Sequence, residues 1–493
     1  MGQVRSQAAT NSIISYSGVL LGYLNVAVLF PWMLAQEVLG LVQILMSAML
    51  FIANLGSFGL QFIVVRFFPI FKHQGISTRV FFSFSLLISV AGIISTLTIL
   101  WVFHDQIVAF YSERAALFSM YANLLYPLVV FGILAILIDS YSRAIMRSVL
   151  TAFYKEVVVR VLQLLAVLFF FYNITSLDTF LWIYVSIQGL YLLMMYASVA
   201  RYSDIRLSIE LKPIRKKLLG EIAKYGGVSI FSTSAFLANN SDILLVGTFV
   251  GLKETAVYGV ASAIGRVIGV PARAITRVAT SVVAEAWSKN RLDKIQDIYE
   301  KSAINNLIVG GILLLGVVIN TDLFLSLIPE SYGGARPVIL LLSISKIVMM
   351  ATGINGPIIT ASKHYWVNMI NNLGSFVTLL ISAYLLIQWM GMIGAAWASL
   401  IVALTGNLFK YSFLKVKYNM EFITWSYLKV LTLLFLLVIA GILLPAFGNI
   451  WIDASIKTIS MIGAFVWIVY KLHWSDDFTD MMQGISDRLK RML

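Results

Sequence analysis

The sequence predicts an all-α integral membrane protein of about fourteen transmembrane helices. Three observations predict it. Hydrophobic residues make up 60% of the 493 residues and charged residues only 12%, with a mean hydropathy of +0.89; a soluble core does not need that excess, but repeated membrane spans do. The apolar residues fall into fourteen segments, each near or above the roughly 20 residues a spanning helix requires. Basic residues gather in alternate connections between these segments, the mark of a fixed orientation in a bilayer.

Taken in order, the segments are 11–34, 39–65, 80–103, 118–142, 154–172, 179–200, 222–250, 254–284, 303–328, 338–360, 367–388, 391–413, 427–447 and 449–471. The first is too long for a cleavable signal and lacks a small-x-small exit, so the N-terminus is expected to be kept. An even number of crossings puts both termini on one side. With that side cytoplasmic, 28 of the 36 Lys and Arg residues fall in inside connections and ends. Four lie outside (Arg114, Lys253, Arg336, Lys457) and four within spans (Arg266, Arg273, Arg277, Lys346). A missed span would scramble this asymmetry downstream, so the bias also supports the count.

The longest inside connection, near Arg201–Glu221, carries the run KPIRKK and reads as a headgroup-facing linker. Gln36-Glu37-Val-Leu-Gly before the second segment lies against Lys253-Glu254-Thr-Ala-Val before the eighth, an offset of 217 residues. Spans one and seven start on the same side, so the halves form a parallel repeat. The expected division is 1–200 and 222–413 as two six-helix lobes, 201–221 as linker, 414–471 as two additional helices and 472–493 as a cytoplasmic tail.

Composition excludes several chemistries. There is no cysteine, and the four histidines (His73, His104, His364, His473) show no metal-ligand spacing. No metal, cofactor or nucleic-acid partner is expected; the net charge of +13 follows from the inside bias of basic residues. No Walker motif is present. No loop is long enough to form a catalytic domain, so function is placed in the bundle and an enzyme is not expected.

The stretch Tyr258 to Glu285 is apolar yet carries Arg266, Arg273 and Arg277. On one continuous helix they share a face within about 40° and form a ladder about 16 Å long. A single arginine at a helix centre costs about 2.5–3.5 kcal/mol even on the mild insertion scale, so the stripe should face protein or water and suits an anionic cargo. The alternative is that Arg277 snorkels to the surface and Arg266 pairs with a carboxylate. Pro271 follows Gly265 and Gly269, and a proline inside a span frees a carbonyl and bends the helix. Gly269 and Pro271 are therefore a candidate hinge, against the simple frequency of both residues in membrane helices.

The fourth segment ends in Asp139, Arg143 and Arg147. Arg143 is a candidate phosphate ligand at the inner mouth, or the partner of Asp139 one turn away. Asp242 follows Asn239, Asn240 and Ser241 within span seven. A lone buried carboxylate is protonated, paired or ligating, so Asp242, with Asp139, is a candidate for coupling to a proton or sodium ion, or a partner of Arg266 or Arg273. Lys346 sits mid-span where spans nine to twelve offer few carboxylates, and is expected to face the cavity.

Several runs resemble a known family: Asn11 to Asn25 with Gly18 and Gly22, Gly40-Leu-Val opening span two, Arg66-Phe-Phe-Pro69 closing it, Tyr258 and Pro271, Ile354-Asn-Gly, Ser362-Lys-His-Tyr, and Gly391-Met-Ile-Gly-Ala-Ala-Trp-Ala398. Their order and spacing resemble the polysaccharide (Wzx-like, O-antigen) flippases of the multidrug/oligosaccharidyl-lipid/polysaccharide flippase superfamily. The resemblance implies a V of two MATE-like lobes working by alternating access in a bacterial inner membrane. It implies an undecaprenyl-diphosphate-linked oligosaccharide as cargo and leaves room for other polysaccharide-assembly proteins as partners. A monomer is expected, since two lobes already enclose a cavity. Span one is uncharged from Asn11 to Leu34, unlike the lipid II branch of that superfamily, and the span-eight charges are basic, unlike those of its cationic-drug exporters. A drug or organic-ion antiporter stays open as an alternative, and a membrane glycan polymerase or ligase as a more distant one.

Overall fold

The computed structural model describes residues 14, 17, 18, 20–112, 114–208, 216–444 and 448–492, with side chains for all of these except 228, 231, 235, 236, 239, 274, 277, 278 and 485–492. Among the described residues every regular element is helical. Hydrocarbon allows an open chain no other way to pair its backbone N–H and C=O groups. The helices form two compact units, Met1–Gly259 and Val260–Leu493.

The first unit holds α1 (Leu20–Met33), α2 (Gln36–Gly56), α3 (Leu60–His73), α4 (Thr78–Val102), α5 (His104–Ser112), α6 (Ala116–Ala144), α7 (148–171), α8 (Leu177–Ala200), α9 (Lys216–Asn240), α10 (Asp242–Phe249) and the start of α11 (Leu252–Arg266). Helix α6 is its centre, with α2, α3, α4 and α8 packed around it. Tyr141, fully buried near the end of α6, meets Phe68 of α3 and Phe82 of α4 edge-on. The starts of α4 and α8 are capped by Ser77 and Ser176, whose hydroxyls accept from Arg79 N and Thr179 N.

The second unit continues with α12 (Val270–Ser288), α13 (Leu292–Ile319), α14 (Thr321–Ser326), α15 (Ala335–Ala351), α16 (Asn355–Ala361), α17 (Tyr365–Met390), α18 (Met392–Tyr418), α19 (Trp425–Leu443), α20 (Ile450–Lys471) and α21 (Asp476–Met492). Helix α13 is the core here, against α12, α15, α19 and α20. The hairpin of α17 and α18 turns at Gly391, φ 56°. A Cβ on Gly394 would lie 2.2 Å from the Leu386 carbonyl oxygen, so the Gly-Ala run lets the two helices close.

Ten helices among the described residues are long and apolar enough to cross a membrane: α2, α4, α6, α8, Leu252–Arg273, α13, α17, α18, α19 and α20. The pair α15 and α16, bent by 46°, makes an eleventh. The apolar windows of α17, α19 and α20 are only 22%, 22% and 17% buried, and Trp389 and Leu443 stand 88% and 76% exposed. Surfaces of that kind require lipid, and the chain is a multi-pass membrane protein.

The remaining three of the fourteen expected segments are irregular. The described part of 11–34 is α1, shorter and π-helical over Leu24–Leu29. Segment 154–172 opens with a π-helical turn, Tyr154–Val158, and 222–250 breaks at Ser241. Segment 39–65 also differs from the expectation of one continuous helix. It breaks after Gly56, where Phe58 and Gly59 take φ of 50° and 72°. The cause is close packing: a Cβ on Gly92 of α4 would lie 2.0 Å from the Gly56 carbonyl oxygen. The basic run Lys212–Lys217 is only partly covered, since 209–215 lie outside the described residues.

Candidate functional site

The arginine-bearing stretch is not one continuous helix. It changes to a 3-10 turn over Val267–Gly269 and resumes as α12, with Pro271 in its first turn. Proline is favoured there, where its missing N–H has no partner to lose. Each 3-10 residue advances about 120° rather than 100°, so the separation of Arg266 and Arg273 around the axis widens from about 20° to roughly 40°. Arg266 ends α11 half-buried, and Arg273 is exposed. Arg277 lies on α12, but its side chain is outside the described residues. Among the described residues no carboxylate lies within ion-pair distance of Arg273.

Lys346 is brought to this stretch by two glycines. A Cβ on Gly265 would lie 3.2 Å from Leu342 Cβ, and one on Gly269 would lie 3.9 Å from Lys346 Cδ. Leu342 and Lys346 are one turn apart on α15. That face of α15 therefore lies along the 3-10 turn, and the half-buried lysine stem passes over Gly269. Arg266, Gly269, Pro271, Arg273 and Lys346 belong to one unit, and cations from three helices, α11, α12 and α15, stand about the turn. Guanidinium and ammonium groups at such a place suit a polyanion, the guanidinium as a bidentate fork and the lysine as a point charge.

Further along α15 the helix kinks at Gly353, φ 64°. Asn407 of α18 bridges the kink: its Oδ1 accepts from Thr352 Oγ1 at 2.9 Å and from Asn355 Nδ2 at 3.2 Å. These groups satisfy polar atoms that the bend would otherwise leave bare in an apolar setting.

Asp139 and Arg143 form an ion pair at 3.3 Å on α6, and Arg143 Nη2 also donates to Ser140 Oγ at 3.1 Å. Both side chains are partly exposed. Asp242, buried at the first turn of α10, accepts from Ile243 N at 3.0 Å and from the Tyr258 hydroxyl at 3.2 Å. A carboxylate at a helix N-terminus is favoured by the unpaired N–H groups there. The side chain of Asn239, three residues before Asp242, lies outside the described residues. No cluster of three or more His, Asp or Glu able to hold a metal occurs among the described residues.

The expected site residues omit a partly buried charged pair on α7. Glu156 Oε2 accepts from Arg160 Nη2 at 2.7 Å on α7, with each side chain about one quarter exposed. Asn25 of α1 donates to the Arg160 carbonyl at 2.9 Å. Gly18 and Gly22 leave the space the pair occupies: Cβ atoms there would lie 2.5 Å from Glu156 Cβ and 2.1 Å from Arg160 Nη1. The sequence carries a faint signal of this. An acid and a base one turn apart inside an apolar run match two glycines one turn apart in span one.

No protein-family model matches the sequence, and no curated protein matches it. Solved structures do share its fold. The lipid II flippase MurJ in an inward-closed conformation superposes with a TM-score of 0.71 at 13% identity, covering 94% of this chain and 98% of that one. A multidrug-resistance MATE-family transporter of the MOP superfamily, in its inward-facing conformation, gives 0.62 at 16% identity over 83% of this chain and 99% of that one. An outward-facing MATE-family structure gives 0.56 at 15% identity over 84% and 96%. The chain shares the fold of these flippase and transporter structures.

Proposed function

We propose that this chain is a flippase that carries a polyprenyl-diphosphate-linked oligosaccharide, a surface-polysaccharide or O-antigen repeat unit, from the cytoplasmic to the outer leaflet by alternating access. The observation that carries the reading is the cationic group Arg266, Arg273 and Lys346 around the 3-10 turn, set on a fold found in a lipid-linked-precursor flippase. In this reading the chain crosses fourteen times as two six-helix lobes and two additional helices, with both termini cytoplasmic. The asymmetry of basic residues supports that orientation.

The cargo head is a diphosphate. Arg266, Arg273 and Arg277 supply forks for its oxygens, Lys346 adds a charge, and Arg143 receives it at the inner mouth. Gly269 and Pro271 let α11 and α12 change angle as access alternates. An inside-negative potential favours outward movement of two negative charges by about 2.3 kcal/mol per charge per 100 mV, or roughly 4–5 kcal/mol in all. Asp242 keeps ion-coupled antiport as a second source of drive. A multidrug or organic-ion antiporter is the runner-up, supported by the fold of the MATE structures. A carboxylate-lined rather than arginine-lined cavity favours it.

Export of surface polysaccharide by cells carrying Arg273→Ala or Arg273→Lys, at matched membrane abundance, tests the reading. Loss with Ala and partial retention with Lys are expected. Normal export by both variants removes the cationic site from the mechanism.

A further inference from the structure

The Glu156–Arg160 pair has no part in the site described above. Arg160 stands eleven residues from Phe171 and twelve from Ser148, the two ends of α7. At about 1.5 Å per residue that is roughly 16–18 Å from either end of α7, so the helix carries Arg160 at its middle although the charge pattern counts it with the inside ends. Ionisable residues at such a place in a membrane helix are functional far more often than ornamental. Stability does not explain the pair, since well-packed apolar residues do as well as a buried ion pair, or better.

The surroundings of Arg160 are irregular in backbone and open in side chains on the α1 side. Residues Leu24–Leu29 and Tyr154–Val158 are both π-helical, and Asn25 of the first bonds the carbonyl of Arg160, two residues past the end of the second. Such widened turns recur at functional sites. Arg160 Nη1 lies against Gly22, where a Cβ would come within 2.1 Å of it. Arginine has five N–H donors in a planar fork. Glu156 takes one at 2.7 Å, through Nη2. Tyr191 of α8, itself buried, stands within electrostatic reach of Glu156 and of Asp139, the partner of Arg143. The first unit thus holds two arginines, each neutralised by a carboxylate one turn away on its own helix.

We propose that Arg160 is a second anion-binding residue, for a phosphate or diphosphate group, and that Glu156 is its built-in competitor. An arriving anion takes the fork from Glu156, and departure of the anion restores the pair. Glu156 thereby keeps affinity low enough for release, which a translocating site needs. The identity of the anion as a lipid-linked diphosphate rests on the function proposed above; the competition does not.

Binding of inorganic pyrophosphate and of undecaprenyl diphosphate to the full-length protein in nanodiscs tests this. Glu156→Gln keeps the shape and removes the charge, and Glu156→Ser serves if the Gln variant does not fold. Either is expected to tighten diphosphate binding on the order of tenfold, as expected when a charge-assisted bond is freed. Adding Arg160→Gln is expected to abolish that gain. A gain for both probes marks recognition of the diphosphate itself, and a gain for the lipid alone marks a head presented from the bilayer; either supports the proposal. Unchanged affinity in the Glu156 variants overturns it, as does a gain that survives Arg160→Gln. If wild type binds undecaprenyl diphosphate and Arg273→Ala weakens it while Glu156→Gln changes nothing, this proposal fails and the function proposed above stands. If neither wild type nor Glu156→Gln binds either probe, both readings fail.

Discussion

Lys253 Nζ stands 3.3 Å from Glu37 Oε1, joining the start of α11 to the start of α2. Beside this pair a Cβ on Gly40 would lie 1.9 Å from the Leu252 carbonyl oxygen, and one on Gly259 would lie 1.9 Å from Gln43 Oε1. The charges and the glycines hold the contact very unequally. Both charged side chains are more than half exposed, and such pairs contribute about 0.2–1 kcal/mol. A methyl driven into a backbone carbonyl has nowhere to go, and overpacking costs about 1–3 kcal/mol or more. Glu37→Lys is therefore expected to lower the melting temperature slightly, with Lys253→Glu restoring it, whereas Gly40→Ala lowers it several times further. Thermal unfolding of the three purified variants checks the order. Equal losses from Glu37→Lys and Gly40→Ala contradict it.

Met146 ends α6 in the left-handed region, φ 57°, with 70% of its surface exposed. The turn is a Schellman closure: Arg147 N donates to the Ser142 carbonyl at 2.9 Å and Met146 N to the Arg143 carbonyl at 3.1 Å. The comparable positions Asn173, Asn290 and Asn419 carry asparagine, which tolerates this conformation better. Met146→Gly is expected to raise stability by about 0.5–1 kcal/mol, because an exposed side chain loses no packing and the backbone strain disappears. A rise in melting temperature with unchanged transport is the outcome to look for.

Much of this arrangement is legible in the sequence, and the illegible part has a physical cause. Length and hydropathy reveal α2, α4, α6, α8, α13 and α17–α20 because a bilayer demands long uninterrupted apolar runs. They do not reveal where a run changes its hydrogen-bond pattern. The turns at Phe58, Val267–Gly269 and Tyr154–Val158 depend on what packs against them, such as Gly92 against Gly56 or Lys346 against Gly269. The arginines of the eighth segment stand out because charge is rare in such a run. Glu156 and Arg160 look like a cytoplasmic helix end until Asn25, 135 residues away from Arg160, shows what faces them.

Asp204 anchors the segment that follows α8. Its carboxylate pairs with Arg79 at the start of α4, and Thr78 Oγ1 donates to the Asp204 carbonyl at 3.3 Å. Ser208 N donates to Ser83 Oγ at 2.8 Å. The hydrogen bond from Arg79 holds the Asp204 carboxyl below its ordinary value of 3.8. A carboxylate with a depressed pKa contributes its stabilisation above the unfolded value and loses it as the pH falls through the folded one. The tether should therefore be constant from about pH 8 to pH 5 and loosen only below about pH 4. Hydrogen exchange at 201–208 followed across pH, after correction for intrinsic rates, is expected to show that break. Asp204→Asn is expected to raise exchange at neutral pH and flatten the profile. A transition near pH 6 in wild type assigns the tether to another group.

Gly269 separates a hinge from a mere irregularity in α11–α12. Its backbone, φ −78° and ψ −4°, is one that alanine adopts without strain. A Cβ there meets Lys346 Cδ at 3.9 Å, ordinary contact distance. Gly269→Ala should thus fold normally and gain about 0.4–1 kcal/mol by restricting the unfolded chain. Gly265→Ala is the contrast, since its Cβ would lie 3.2 Å from Leu342 Cβ and α15 must give way. If the 3-10 turn flexes during transport, Gly269→Ala stiffens it, and export slows although the protein is more stable. Gly265→Ala is expected instead to lose stability and abundance together. Measuring melting temperature and export for the two variants in parallel separates the cases. A stabilised Gly269→Ala protein that exports at the wild-type rate assigns the turn to packing, with Pro271 and the glycines serving only to seat Lys346 beside the arginines.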